Sequence, residues 1–287
     1  MTASVTAPEC LVEAYERRLA PARERFDGGA FAREVASGVM SPEGLEVFLM
    51  WFTALGQHMT RPVAGWHRRA GERCQALGHR ELGQELVEHA EHADGQDRML
   101  REDARNLVKR WNDRRGEMPI ETGRLLAARP TAGVRRFAEL QERVIDGPAP
   151  WGQIAIDHEM ERLSTTWSGT FLRTCLHTLG PEIRDCLSFL DDQDQPEAGE
   201  ERANADQLDR LLRERPEALE DVSRAGADAL DACGVYLDDC LRLTRTEVLF
   251  RPDGPPMRWR LRPSGLRSLR GVGEGNDLPA GAAREVQ

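Results

Sequence analysis

LGQELVEHAEHADGQDRMLREDARNLVKRW, residues 82–111, sets Leu82, Leu86, His89, Ala93, Gln96, Leu100, Leu107 and Trp111 on one four-three stripe. That period belongs to an α-helix with one face in a core, and it predicts a long helix over about residues 80–111. His89 and Gln96 then face the same core as the leucines, and Glu85, Glu88, His92 and Met99 form the adjoining stripe. Glu85 and His89 are i,i+4 partners, as are Glu88 and His92, so each pair presents a carboxylate and an imidazole on one surface. Such donors bind transition metals. The same residues also suit a solvated acidic face with one histidine tucked beneath it.

Outward from this segment every periodic stretch is helical. Leu11, Tyr15, Leu19 and Phe26 mark a first helix, interrupted near Pro21. Ser41 followed by Pro42 starts a second, which carries Leu45, Phe48, Leu49, Phe52 and Leu55 and ends near Arg61-Pro62. Another helix runs to Gly78, and Val134, Phe137, Leu140, Gln141 and Val144 mark one ending at Asp146-Gly147-Pro148. A second long helix, about 150–179, is expected to pack against the first, followed by a short one through Leu190 and the broken acidic stretch DDQDQPEAGEE. Leu219, Val222, Ala229, Cys233 and Val248, with Tyr236 and Cys240 beside them, give the last pattern. No run alternates like a strand, so the expectation is an all-α, multi-helix domain over residues 8–250. Residues 251–287 hold five prolines, six glycines and seven arginines and read as a disordered tail.

Composition excludes several functions. A net charge of -10 argues against nonspecific nucleic-acid binding. No apolar run is long enough to span a membrane and MTASVTAPEC lacks a secretion signal's blocks, so the expected setting is the cytoplasm. Cys10, Cys74, Cys175, Cys186, Cys233 and Cys240 are scattered without a CxxC pair, which disfavours zinc ribbons and a disulfide framework. Cys175 with His177 is a weak nucleophile pair, since i and i+2 diverge on a helix. Lys109 is the single lysine and sits among charges, a poor setting for a Schiff base.

On the second long helix, Ile156, Glu159, Met160, Leu163, Trp167, Thr170 and Phe171 share a stripe, which directs Glu159 inward. A buried carboxylate needs a metal, a cation or donors, so Glu159 reads either as a ligand or acid-base group or as the partner of an arginine or tryptophan. His158 falls on another face with Trp151, Ile154 and Arg162 and reads as interface filler.

His89, Gly95 and Asp97 on one helix, Glu159 after the Pro150-Trp151-Gly152 start, and Phe189-Leu190 beyond it resemble the heme-oxygenase-like superfamily over roughly residues 40–245. Within it the pattern is most similar to the non-heme diiron oxidases and oxygenases, and more distantly to pyrroloquinoline-quinone-synthase-like and thiaminase-like proteins. The resemblance implies a heme-oxygenase-like bundle, an oxidoreductase of small-molecule, secondary metabolism, iron, and a homodimer. The chain departs from the family's ligand pattern: Ala93 and Gln96 stand at two ligand positions and His92 at a nearby glutamate. After Phe189-Leu190 the last ligand set reads Gln193, Glu197 and Glu200, so an ordinary diiron centre is not expected.

Three classes stay open. In the first, iron is held by Glu88, His92 and Glu159, with His89 as ligand or orienter. In the second, the protein is metal-free and Glu159 with His89 does acid-base work on a small-molecule substrate. The third is a non-catalytic member that binds a small molecule or a partner.

Overall fold

A computed structural model of the chain describes residues 11–92, 95–116, 119–194 and 200–246, the side chains of 91, 92 and 200–204 excepted. The tail, Ala93, Glu197, Val248 and the side chains of His92 and Glu200 therefore lie outside the described residues. In chain order the helices are α1 (Leu11–Asp27), α2 (Pro42–Thr60), α3 (Val63–Ala76), α4 (Arg80–His92), α5 (Gln96–Arg114) and α6 (Thr122–Leu126). They continue with α7 (Ala132–Asp146), α8 (Gly152–Leu179), α9 (Ser188–Gln193), α10 (Glu200–Glu214) and α11 (Leu219–Thr246). A π-helical segment, Phe31–Ala36, follows α1, and 3-10 turns at Pro181–Cys186 and Pro216–Ala218 lead into α9 and α11. No strand forms among the described residues, and the architecture is the all-α multi-helix bundle read from the periodicity. None of the described helices is long and apolar enough to cross a membrane.

The helix expected over 80–111 is two. Gly95, at φ +110°, takes a left-handed conformation that side-chain-bearing residues rarely adopt, and α5 restarts after it. The stripe still survives the break: Leu86, Leu100, Leu107 and Trp111 are buried, and His89 and Gln96 are half-buried. Packing differs from expectation too, since α4 lies against α3 and α5 against α2, whereas α8 lies against α11 and α10. The first helix runs straight through Pro21, carried by buried Tyr15, Leu19, Ala22 and Phe26. The acidic stretch after α9 leads into α10, where Leu208, Leu211 and Leu212 are buried.

Ser41 caps α2 as its sequence requires, its Oγ accepting from Gly44 N at 3.2 Å. The α3–α4 hairpin closes with His79 N donating to Cys74 O (2.9 Å) and Gly78 N to Gln75 O (3.0 Å), the pair of bonds that ends a helix at a C-terminal glycine. Its two helices touch backbone to backbone at Gly71 and Gly83, where an added Cβ would meet the other helix's carbonyl oxygen at 2.5 and 2.4 Å. This close crossing brings His67 of α3 beside His89 of α4, their ring centroids 4.9 Å apart.

Helix α8 is enclosed on more than one side. Ile154, Ala155, Ile156, Glu159, Leu163, Phe171, Leu172 and Cys175 are all buried, so its inward stripe does not define a single direction.

Candidate active-site cavity

A cavity of about 480 Å³ opens between α2, α7, α8, α9 and α11 and the α3–α4 hairpin, a volume suited to a small organic molecule. Its walls are largely aromatic. Phe52 contacts Phe171 edge-on at 5.9 Å and Phe189 at 6.4 Å, and Phe31, delivered by the π-helical segment, meets Trp167 at 5.9 Å. Its polar groups include Gln96, Gln141 and Gln193, the hydroxyls of Thr60, Ser164, Ser168 and Tyr236, the carboxylates of Glu161 and Asp192, and the histidine pair with Asp157. Ser164 donates to Gln193 across the α8–α9 contact.

At the histidine end, His67, His89 and Asp157 each offer a ligand atom, and these atoms lie within 4.8 Å of one another. It is the one such group of potential metal donors among the described residues. His67 is 2% exposed on the buried stripe of α3 with Ala70 and Cys74. Its Nδ1 donates to Val63 O at 3.0 Å and its Nε2 to Asp157 Oδ2 at 2.7 Å. Gln153, one turn earlier on α8, donates to the other oxygen of Asp157 at 2.9 Å. Burial opposes a charge on either partner, yet each outweighs it for the other. His67 is held above the usual imidazole range by the Asp157 carboxylate and the Val63 carbonyl, and Asp157 below the usual carboxylate range chiefly by His67. Both ring nitrogens of His67 thus face acceptors, an arrangement that suits an imidazolium opposite a carboxylate.

The site expected from sequence is distributed differently. His89 lines the cavity. Glu88 is exposed, accepting from Gln84 Nε2 at 3.0 Å, and does not join it. Glu159 is fully buried, but its carboxylate faces α1 rather than the cavity: Tyr15 OH donates to Oε1 at 2.9 Å, and Arg23 donates to both oxygens at 2.6 and 3.0 Å. Arg23 also grips Glu16, at 3.1 Å to Oε1. Burial, then the Glu159 charge, pushes the Tyr15 phenol well up, while the carboxylates hold Arg23 firmly charged against its burial. Here the arginine-partner reading of Glu159 describes the geometry, and the cavity expected against it sits elsewhere. His158 stands edge-on to Tyr15, 5.9 Å away, as interface filler.

Two of the cavity's donors, His67 and Asp157, escape the sequence reading. Legible signals existed: His67 shares a helix stripe with Ala70 and Cys74, and Asp157, Ser164 and Ser168 stand at i, i+7 and i+11. Gln96 and Gln193, which the resemblance set at ligand positions, line the cavity. The remaining nucleophile candidates fall away. Burial pushes the Cys175 thiol up to about 12, and Lys109 pairs with Asp113 at 3.1 Å.

No family model matches the chain, and no curated protein is significantly similar to it in sequence. In structure it is similar to a domain of unknown function with a heme oxygenase-like fold from Shewanella denitrificans OS217. The TM-score is 0.61 at 14% identity, over 82% of this chain and 94% of that one. It is also similar to a TenA homolog from Pseudomonas syringae pv. tomato str. DC3000, with a TM-score of 0.58 at 13% identity, over 85% of this chain and all of that one. The fold is heme-oxygenase-like.

Proposed function

On this heme-oxygenase-like fold we propose an oxidoreductase of small organic molecules that carries iron on His67, His89 and Asp157, in place of the set Glu88, His92 and Glu159. The observation that carries the reading is the convergence of two imidazoles and one carboxylate on the wall of an aromatic cavity. Two histidines and a carboxylate are the donor set of mononuclear non-heme iron sites that keep coordination positions open. The surrounding bonds fit that use. Val63 O holds Nδ1–H of His67 and so leaves Nε2 as the ligand nitrogen, and Gln153 holds the far oxygen of Asp157. A metal ion would replace the proton now shared between His67 Nε2 and Asp157 Oδ2. Bound iron would supply the one-electron and dioxygen chemistry that side chains lack. The protein's own part is to hold the substrate between Phe52, Phe171 and Trp167, to exclude water, and to fix the three donors.

Iron(II) loading followed by elemental analysis tests it. About one iron per chain is expected for the wild type and for Glu88→Ala, and none for Asp157→Asn or His67→Ala. Iron retained by Asp157→Asn would exclude this ligand set.

One observation favours a second reading. Both His67 nitrogens and both Asp157 oxygens already have partners, so the pair is complete as a buried orienting dyad, with His89 beside it as the proton-transfer group. Undiminished turnover after exhaustive chelation is the outcome that selects this alternative.

A further inference from the structure

The shape of the cavity specifies its ligand further, an inference that rests on reading the cavity as the small-molecule site. Helix α8 lines it from Asp157 through Met160, Ser164 and Trp167 to Phe171, a residue every three or four over fourteen positions. At 1.5 Å per residue that is about 20 Å of helix. The opposite wall repeats the pattern in reverse, with Phe52, Gly56 and Met59 of α2 followed by Val63 and His67 of α3. Contacts pin the two walls together at both ends, Phe52 against Phe171 at 5.9 Å and His67 against Asp157 at 2.7 Å. A sphere of the cavity's volume would be only about 10 Å across, so walls of this length enclose a trough.

Its two ends differ in chemistry. His67, His89 and Asp157 gather their polar atoms at one. At the other, Phe31 meets Trp167 at 5.9 Å and Phe171 at 5.2 Å, and Phe52 carries the ring contacts on to Phe189 at 6.4 Å. Between them Met59, Val63, Met160 and Leu163 offer apolar surface, and the unbranched methionines can adapt to what lies against them. A compact polar molecule would occupy the histidine end alone and leave the ring-lined half without contacts.

We propose that the cavity takes an elongated, mainly apolar molecule, its polar reacting group at the histidine end and its tail laid along α8 as far as Trp167 and Phe171.

A series of unbranched ω-phenylalkanols, with two to eight methylenes between ring and hydroxyl, measures the trough by isothermal titration calorimetry on the full chain with chelator present. Each buried methylene should tighten binding about threefold to fourfold, and the gain should continue to at least about six methylenes. Ser168 is 7% exposed and lines the ring-bearing end, so Ser168→Phe fills that end. It should stop the gain about two or more methylenes earlier while 2-phenylethanol binds as it does to the wild type. Met160→Trp, an obstruction nearer the histidines, should stop it earlier still. Melting curves establish that each variant folds, and either one alone carries the test. A gain that levels off by about three methylenes in the wild type, an unchanged length profile in the folded variants, or no binding by any member overturns the proposal. Iron loading is measured separately. The full length profile in a chain that takes up no iron sinks the iron reading alone, and iron uptake with a gain that ends by about three methylenes sinks this one alone.

Discussion

Asp157 and Glu159 stand two residues apart on α8, and their surroundings differ in every respect that bears on function. A helix turns about 100° per residue, so two residues along the two side chains leave the helix about 160° apart. Asp157 faces the cavity with two histidines and has one hydrogen-bond donor on each oxygen. Glu159 faces α1, fully enclosed, and is held by Tyr15 and by Nε and Nη2 of Arg23, with Arg162 at 3.7 Å. Helix α11 comes so near that a Cβ on Gly226 would lie 2.7 Å from Tyr15 OH and 3.2 Å from Glu159 Cγ. One carboxylate sits where a ligand can arrive, the other where the protein has already filled every approach. The direction of each side chain assigns the role: toward the cavity for Asp157, toward α1 for Glu159.

The comparison breaks most readily at its stabilising pole. Arg23→Ala strands the Glu159 charge in a dry site and should cost about 3–5 kcal/mol in urea unfolding, and Glu159→Ala, which leaves Arg23 only Glu16, should cost somewhat less. The double variant should recover part of that loss, because neither charge is then left alone. Below their melting temperatures the single variants should still take up iron as the wild type does. Lost iron uptake in folded Glu159→Gln, with unchanged melting, would place Glu159 in the site and erase the distinction.

The sequence carried the helices well because a four-three stripe needs only a local rule, and Ser41-Pro42 and Asp146-Gly147-Pro148 mark their ends chemically. It carried Glu159 only halfway. The stripe Ile156, Met160, Leu163, Trp167 and Phe171 does face the cavity, and Glu159 lies beside it, but α8 is covered by α1 and α11 on the flank that Glu159 occupies. Period alone cannot say which of two buried flanks holds a cavity. His67 could be read as facing inward but not as part of a site, for a related reason: its meaning depends on the Gly71–Gly83 crossing, a contact between two helices rather than a pattern within one. The break at Gly95 left the 82–111 stripe in register, so the sequence read one helix where two stand.

That crossing offers the next test, because it supports the cavity pole and not the Glu159 pole. Gly71→Ala places a methyl 2.5 Å from Gly83 O and 2.8 Å from a Val87 methyl, contacts that only a shift of whole helices relieves. A loss of about 1–3 kcal/mol is expected in thermal unfolding. Iron uptake should fall as His67 and His89 are pushed apart, while the contribution of the Arg23–Glu159 pair, measured by the same double-variant cycle, should be unchanged. Equal damage to both would mean that the two flanks of α8 are one cooperative unit.

Asp157→Asn should sharpen the contrast. It removes iron binding but, unlike Glu159→Ala, costs only about 1–2 kcal/mol, since His67 can release its proton and keep its bond to Val63 O. A loss as large as that of Glu159→Ala would make Asp157 chiefly a structural carboxylate and would favour the metal-free dyad.

Gln153→Leu has the smallest expected effect on stability and separates orientation from ligation. The side chain is fully buried, donates to Asp157 Oδ1 at 2.9 Å, and leaves its own Oε1 without a partner. Replacing it with leucine, of similar volume, takes a donor from Asp157 but also removes that unsatisfied oxygen. The two changes oppose each other, and the net shift in unfolding free energy should stay within about 1 kcal/mol. Iron affinity should nevertheless fall about 10–100-fold, because a carboxylate released on one side no longer holds its ligand oxygen toward His67 and His89. Unchanged affinity would show that His67 alone orients Asp157; a large drop in melting temperature would show that Gln153 belongs to the core rather than to the site.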